Sequence, residues 1–189
     1  MEQARKFVEL PDHAPSRLTA QMQPLLIDPA TDKPAPLNTN ALPRYLAFVR
    51  AANFCPMSQR FLPKLVKFCD EMKAKHPDFE VIYLSCHQTL PDMETFAKAV
   101  GFSWPTLTYK QTSCVYILRP HFQILMPQFT VMDLRGNVLI SGMGEAENGV
   151  VKGSSTNGKD GNQPVLNGIS AAAALEKFGA LLNQQPASL

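Results

Sequence analysis

The stretch Tyr45–Cys69, YLAFVRAANFCPMSQRFLPKLVKFC, decides the fold. Its first five residues, Tyr45 to Val49, form an apolar run of aromatic and branched side chains, as a buried strand requires. Cys55-Pro56 follows where a helix should begin, because proline at the first helical position needs no partner for a missing N–H. The spacing of Phe61, Leu65, Phe68, Cys69 and Met72 predicts an amphipathic helix over Pro56–Lys75, with Arg60, Lys64, Lys67, Asp70, Glu71 and Lys73 on its other faces. A cysteine at the mouth of a helix is the arrangement here that carries obvious chemistry.

The same punctuation extends in both directions. Val81–Leu84 is apolar throughout and reads as a strand covered on both faces. Asp92–Val100 reads as a helix that starts after Pro91 and ends at Gly101, with Met93, Phe96, Ala97 and Val100 on one side. Gln111–Arg119 is a third helical stretch, stopped by Pro120. Phe129–Met132 and Val138–Ile140 are strands joined by the turn Asp133-Leu134-Arg135-Gly136-Asn137. The expected order is strand–helix–strand–helix, then helix, strand, strand: a parallel βαβ half joined to an antiparallel hairpin in one mixed α/β sheet.

The flanks differ in character. Residues 1–43 form a proline-rich extension, with Pro24–Asp28 read as an edge strand and Pro29–Pro36 as a loop. Residues 44–141 hold the α/β unit. Residues 142–168 are rich in Gly, Asn and Ser and read as a flexible loop. Residues 169–189 read as an amphipathic helix and tail, with Ile169, Ala172, Leu175, Phe178 and Leu182 on one face, suited to capping the sheet or docking on a partner.

Composition narrows the functional classes. Eighteen basic against sixteen acidic residues leave a net charge of +2, too balanced to point to nucleic acid or an anionic membrane. No apolar run reaches spanning length. The start, MEQARKFVELPDH, has neither the apolar core of a secretory signal nor the composition of a transit peptide. Four cysteines at wide spacing match no zinc pattern and no secreted disulfide framework, so reduced thiols and the cytosol are expected. Four isolated histidines add no metal site, and no cofactor is expected.

Four features together resemble the thioredoxin superfamily, most closely its tryparedoxin and nucleoredoxin branch. They are the strand leading to Cys55-Pro56; Pro63, eight residues after Cys55; Met126-Pro127 just before the strand Phe129–Met132; and the run Phe79-Glu80-Val81-Ile82-Tyr83-Leu84-Ser85, followed by Ser103-Trp104 and the Asp133…Gly136 turn. The resemblance implies a thioredoxin fold, a cis peptide bond at Pro127, and a peptide-binding edge formed by Phe54, Pro56, Met57, Trp104 and Met126. It also exposes two departures. Where the family carries Trp-Cys-Pro-x-Cys, this chain carries Phe54-Cys55-Pro56-Met57-Ser58. Cys55 keeps the nucleophile's place, its thiolate favoured by the helix dipole. Ser58 replaces the resolving cysteine, so a dithiol cycle cannot close within the motif. No glutathione-binding glycine pair follows Pro127, against a bridging iron–sulfur cluster.

Two readings follow, with a chaperone-like peptide binder as a third. In the first, the chain is a redox-degenerate protein-binding or structural subunit of a larger assembly, cytoskeletal or otherwise. In the second, it is a monothiol–disulfide oxidoreductase that uses Cys55 and an external, glutathione-like thiol. Cys86 is the internal alternative for resolution and His87 a candidate base. Cys69 and Cys114 read as small core residues; His13 and His121 read as surface or loop residues.

Overall fold

The computed structural model describes residues 17–37, 43–112, 115, 118, 125–147, 150–152, 154–155 and 169–184. The elements run α1 (Arg17–Met22), a 3₁₀ turn (Gln23–Leu25), β1 (Tyr45–Ala51), α2 (Pro56–Lys73), β2 (Phe79–Ser85), α3 (Leu90–Val100), β3 (Thr106–Leu107), α4 (Tyr109–Thr112), β4 (Leu125–Met126), β5 (Gln128–Asp133), β6 (Val138–Met143), β7 (Glu145–Glu147), β8 (Val150–Lys152), β9 (Ser154–Ser155) and α5 (Ala171–Asn183).

Five strands make the central sheet in the order β3-β2-β1-β5-β6. β1 is parallel to β2 and antiparallel to β5, and β5 and β6 form a hairpin. This is the mixed sheet that the order of elements predicts. The hairpin turn is held by Asp133, whose Oδ1 accepts from the N–H groups of Arg135 and Asn137, each at 2.9 Å. Gly136 adopts φ 86° there, a conformation side chains resist.

Both faces of the sheet are buried, and the two-residue period of a strand divides them. Tyr45, Ala47, Val49 and Ala51 point to a core shared with α2, α3 and α5. Leu46 and Phe48 point to the opposite core, closed by Leu18, Met22, Leu26 and Leu37 from the N-terminal extension and by Val115 and Leu118. The extension therefore packs on the domain through Leu18, Met22, Leu26 and Leu37, a relation that the extension's own composition does not reveal.

Several expectations need correction. Pro24–Asp28 is not a strand: the chain turns through 3₁₀ geometry there, and Ile27 alone bridges to Thr106 and Pro34. Proline at 24 removes a donor that a ladder would need. α3 begins two residues earlier than expected, because Thr89 caps it by accepting from the Asp92 N–H at 3.3 Å, leaving Pro91 harmlessly inside the first turn. The third helical stretch begins earlier, at Tyr109, and its described helical part is a single turn; Val115 and Leu118 then sit in successive turns. The stretch read as a loop carries three short strands, β7 to β9. Cys114, His13 and His121 lie outside the described residues.

α5 caps the sheet. Its N-cap Ser170 accepts from the Ala173 N–H at 3.1 Å. The buried stripe is Ala171, Ala174, Leu175, Phe178 and Leu182. Ala172, expected on that stripe, is only half-buried, because a run of four alanines leaves the angle of the apolar face open.

Candidate functional site

The site lies where β1 and β2 end. Their last paired residues are Ala51 and Ser85. Past them the Cys55 N–H donates to the Ala52 carbonyl at 3.2 Å, closing a tight turn into α2. Cys55 is the N-cap of that helix, and its sulfur accepts from the Ser58 N–H at 3.4 Å. The thiol faces the Met126 carbonyl oxygen at 3.7 Å. The Met126–Pro127 bond is cis. Helix initiation by Cys55-Pro56 thus follows the sequence reading, and it turns the sulfur toward Met126 and away from solvent. Cys55 is fully buried, in a small cluster with Ala52, Cys86 and Met126 that is separate from both main cores, with Met57 packed on its rim.

The candidate peptide-binding residues separate into two groups. Phe54 is 51% exposed, Pro56 is exposed and Met57 is half-buried at the mouth of the turn. Met126 is buried against Cys55. Trp104 joins neither group. It stacks on Phe102 with ring centroids 4.7 Å apart, and Phe102 in turn lies on Tyr83, so the indole packs against the main core. The expected strand-like edge at Met126 is also taken: β4 pairs antiparallel with β9, Met126 opposite Ser154. Nearby, Arg60 of α2 forms a two-pronged ion pair with Glu145 of β7, at 3.0 and 2.6 Å. This pair raises the Arg60 pKa. The segment after Met143 therefore lies across the site.

Ser58, in the resolving cysteine's place, is fully buried, and its hydroxyl oxygen finds no hydrogen-bond partner among the described residues. An unsatisfied buried hydroxyl costs about 1–3 kcal/mol. Ser58→Ala should therefore stabilise the protein by about 1 kcal/mol, since the backbone N–H that serves Cys55 is retained. Chemical denaturation checks this; a less stable variant would reveal a partner for the hydroxyl.

His87 is not a free base. Its Nε2 accepts from the Asn53 N–H at 3.1 Å, so the ring is neutral with its proton on Nδ1. Nδ1 lies 3.2 Å from Ser85 Oγ and 3.3 Å from Tyr83 Oη, whose own O–H donates to the Ala51 carbonyl at 2.7 Å. The imidazole clamps the turn that presents Phe54 and Cys55. Burial, partly opposed by the charge of Asp92, lowers its pKa below 6.5. Below about 6.5 the unfolded chain takes up a proton that the folded chain refuses. Stability is therefore full above that pH and is lost as pH falls toward the folded value. A Tm series across this range should show the decline in wild type and a flatter profile in His87→Gln, which keeps an acceptor but cannot titrate. Equal slopes would remove His87 from the account.

Sequence reasoning missed Arg50, which opposes the rise that burial imposes on the Cys86 pKa. It also missed Tyr109, 51% exposed, which with Phe54 flanks a cleft of about 320 Å³. Gln88, Asp92 and His87 line that cleft. Neither residue carries a sequence signal, because Tyr109 reaches the cleft only through the turn after β3. Cys69 sits on the apolar face of α2 as expected, its thiol pushed up to about 12 by burial. Among the described residues no three metal-ligating side chains gather, and no helix is long and apolar enough to cross a membrane.

Residues 43–138 match the thioredoxin-like family, and the chain belongs to it. Over 90 residues it is 31% identical to a probable nucleoredoxin 2 of Oryza sativa subsp. japonica, covering 47% of this chain and 22% of that protein. The chain thus spans about a fifth of that relative's length. Among solved structures it is similar to a thioredoxin from Wuchereria bancrofti (TM-score 0.53, 18% identity, 82% of this chain and 94% of that one). It is also similar to tryparedoxin II from C. fasciculata (TM-score 0.53, 17% identity, 64% and 83%). The fold and the tryparedoxin- and nucleoredoxin-like character inferred from the motifs agree with these relatives.

Proposed function

We propose that this chain is a redox-degenerate thioredoxin-like protein that works by binding a protein partner within a larger, cytosolic assembly. One observation carries the reading: the family's reactive turn is kept in shape, while its cysteine is fully buried and stands without a second thiol in the motif. The cleft beside it supports binding directly. Phe54 and Tyr109 add exposed aromatic side chains to a lining that includes polar Gln88 and Asp92, a combination suited to an extended protein segment. Affinity capture with wild type, Cys55→Ser and Phe54→Ala/Tyr109→Ala tests it. Partners should be retained by Cys55→Ser and lost by the aromatic double variant, whose exposed positions leave the core intact. Partners held by wild type alone and released by a reductant would overturn the reading.

The second reading, a monothiol–disulfide oxidoreductase, is favoured by the Ser58 N–H directed at the Cys55 sulfur. It calls for turnover of a protein–glutathione mixed disulfide with glutathione as the resolving thiol. Absence of turnover with full-length protein counts against it.

A further inference from the structure

We propose that Cys86 is the second thiol of this site, forming with Cys55 a non-adjacent dithiol couple that acts on a disulfide substrate. The inference keeps the binding part of the proposed function, since the Phe54–Tyr109 cleft holds a partner whether or not thiols exchange, and departs from its redox-degenerate part.

Topology brings the two cysteines together. Because β1 and β2 are parallel and end in register at Ala51 and Ser85, Ala52 and Cys86 leave the sheet side by side. The Cys86 N–H still donates to the Ala51 carbonyl at 3.4 Å, and the Cys55 turn folds back onto Ala52. Both thiols are free and share one buried cluster with Met126, apart from the main cores. Cys86 is also treated differently from a packing cysteine. Burial raises its pKa, but Arg50 opposes this through its charge and by a hydrogen bond to the sulfur; Cys69 has no hydrogen-bonding partner among its influences. The Arg50 charge thus lessens the upward shift without reversing it. Cys86 also lines the cleft that Phe54 and Tyr109 line, so the pair meets that cleft through Cys86.

The exchange balances as follows. The Cys55 thiolate attacks one sulfur of the substrate disulfide; that S–S bond breaks and the first substrate thiolate leaves and takes a proton. The Cys86 thiolate then attacks Cys55 Sγ, the mixed disulfide breaks, and the second substrate thiol is released. Two electrons pass from the cysteine pair to the substrate, and the pair is left as a Cys55–Cys86 disulfide. Two equivalents of an external thiol, leaving as their own disulfide, return the electrons and restore both cysteine thiols.

The test uses the full chain and glutathione disulfide as probe, with alkylation quenching and peptide mapping by mass spectrometry. Wild type should yield a cross-linked Cys55–Cys86 peptide and retain little glutathione. Cys86→Ser and Cys86→Ala, each checked for folding by circular dichroism, should lose the cross-link and hold glutathione on Cys55. Equal glutathione retention on Cys55 in wild type and both variants overturns the proposal. So does a wild-type Cys55 that reacts with nothing, or that pairs with a different cysteine. Partner capture by wild type and its loss in Phe54→Ala/Tyr109→Ala are read separately from the cross-link, which keeps failure here distinct from failure of the binding reading.

Discussion

Phe178→Ala should cost about 3–5 kcal/mol of unfolding free energy, the range for truncating a fully buried aromatic. Phe178 has no exposed surface. Its ring meets Phe79 at 5.4 Å, Phe68 at 5.9 Å, Tyr45 at 6.0 Å and Phe129 at 6.1 Å. Those four belong to β2, α2, β1 and β5, so one side chain from α5 joins three strands and a helix. Its removal leaves a cavity that rigid neighbours cannot fill, because each is itself pinned to a different element. Urea titration reads the loss directly. A cost below about 1 kcal/mol would mean that the core collapses around the gap and that α5 is an accessory. The effect on Cys55 should be indirect, since the helix docks on the sheet away from the small cysteine cluster.

Gly142→Ala should be the second severe substitution, at the upper end of the roughly 1–3 kcal/mol typical of overpacking. A Cβ on Gly142 would meet the carbonyl oxygen of Ser170 and lie 2.7 Å from the Ala174 Cβ. The obstruction is mostly backbone, so no rotamer change relieves it. Nor can the helix start retreat easily. The Met143 N–H donates to the Ile169 carbonyl at 3.0 Å and the Ala171 N–H to the Gly144 carbonyl at 3.1 Å, fastening the entry of α5 to the end of β6 on both sides. A Tm shift measures the cost, and far-UV circular dichroism shows whether helix is lost with it. An unchanged Tm would show that β6 and α5 separate freely. Together the two variants test whether the C-terminal helix belongs to the domain or is held for a partner.

Local patterns made much of the domain readable. An apolar run ending in Cys55-Pro56 has few structural alternatives, since the proline selects a helix start and the spacing of Phe61, Leu65 and Cys69 selects the face. Asp133 and Gly136 mark their turn by their own chemistry, a side-chain acceptor and a tolerance of positive φ. The mixed α/β sheet follows from these local preferences and their order, and the thioredoxin fold was legible through the resemblance of the motifs. The alanines of α5 were less informative, because small side chains tolerate either burial or exposure.

Relations between distant segments were not written in that way. The pairing of Met126 with Ser154, the Arg60–Glu145 ion pair, the packing of Leu18 and Met22 beneath the sheet and the position of Tyr109 join residues far apart in the chain. None has a periodicity, because each depends on where a turn releases the chain. From residue types alone, Phe54-Cys55-Pro56-Met57-Ser58 is a helix-capping turn with one thiol and no resolving cysteine. Tertiary structure buries that thiol, lays Met126 over it, sets Cys86 in the same cluster and leaves Phe54 in solvent. The physical reason is that helix caps and turns are satisfied within a few residues, whereas exposure and the company of a sulfur depend on which strands end side by side.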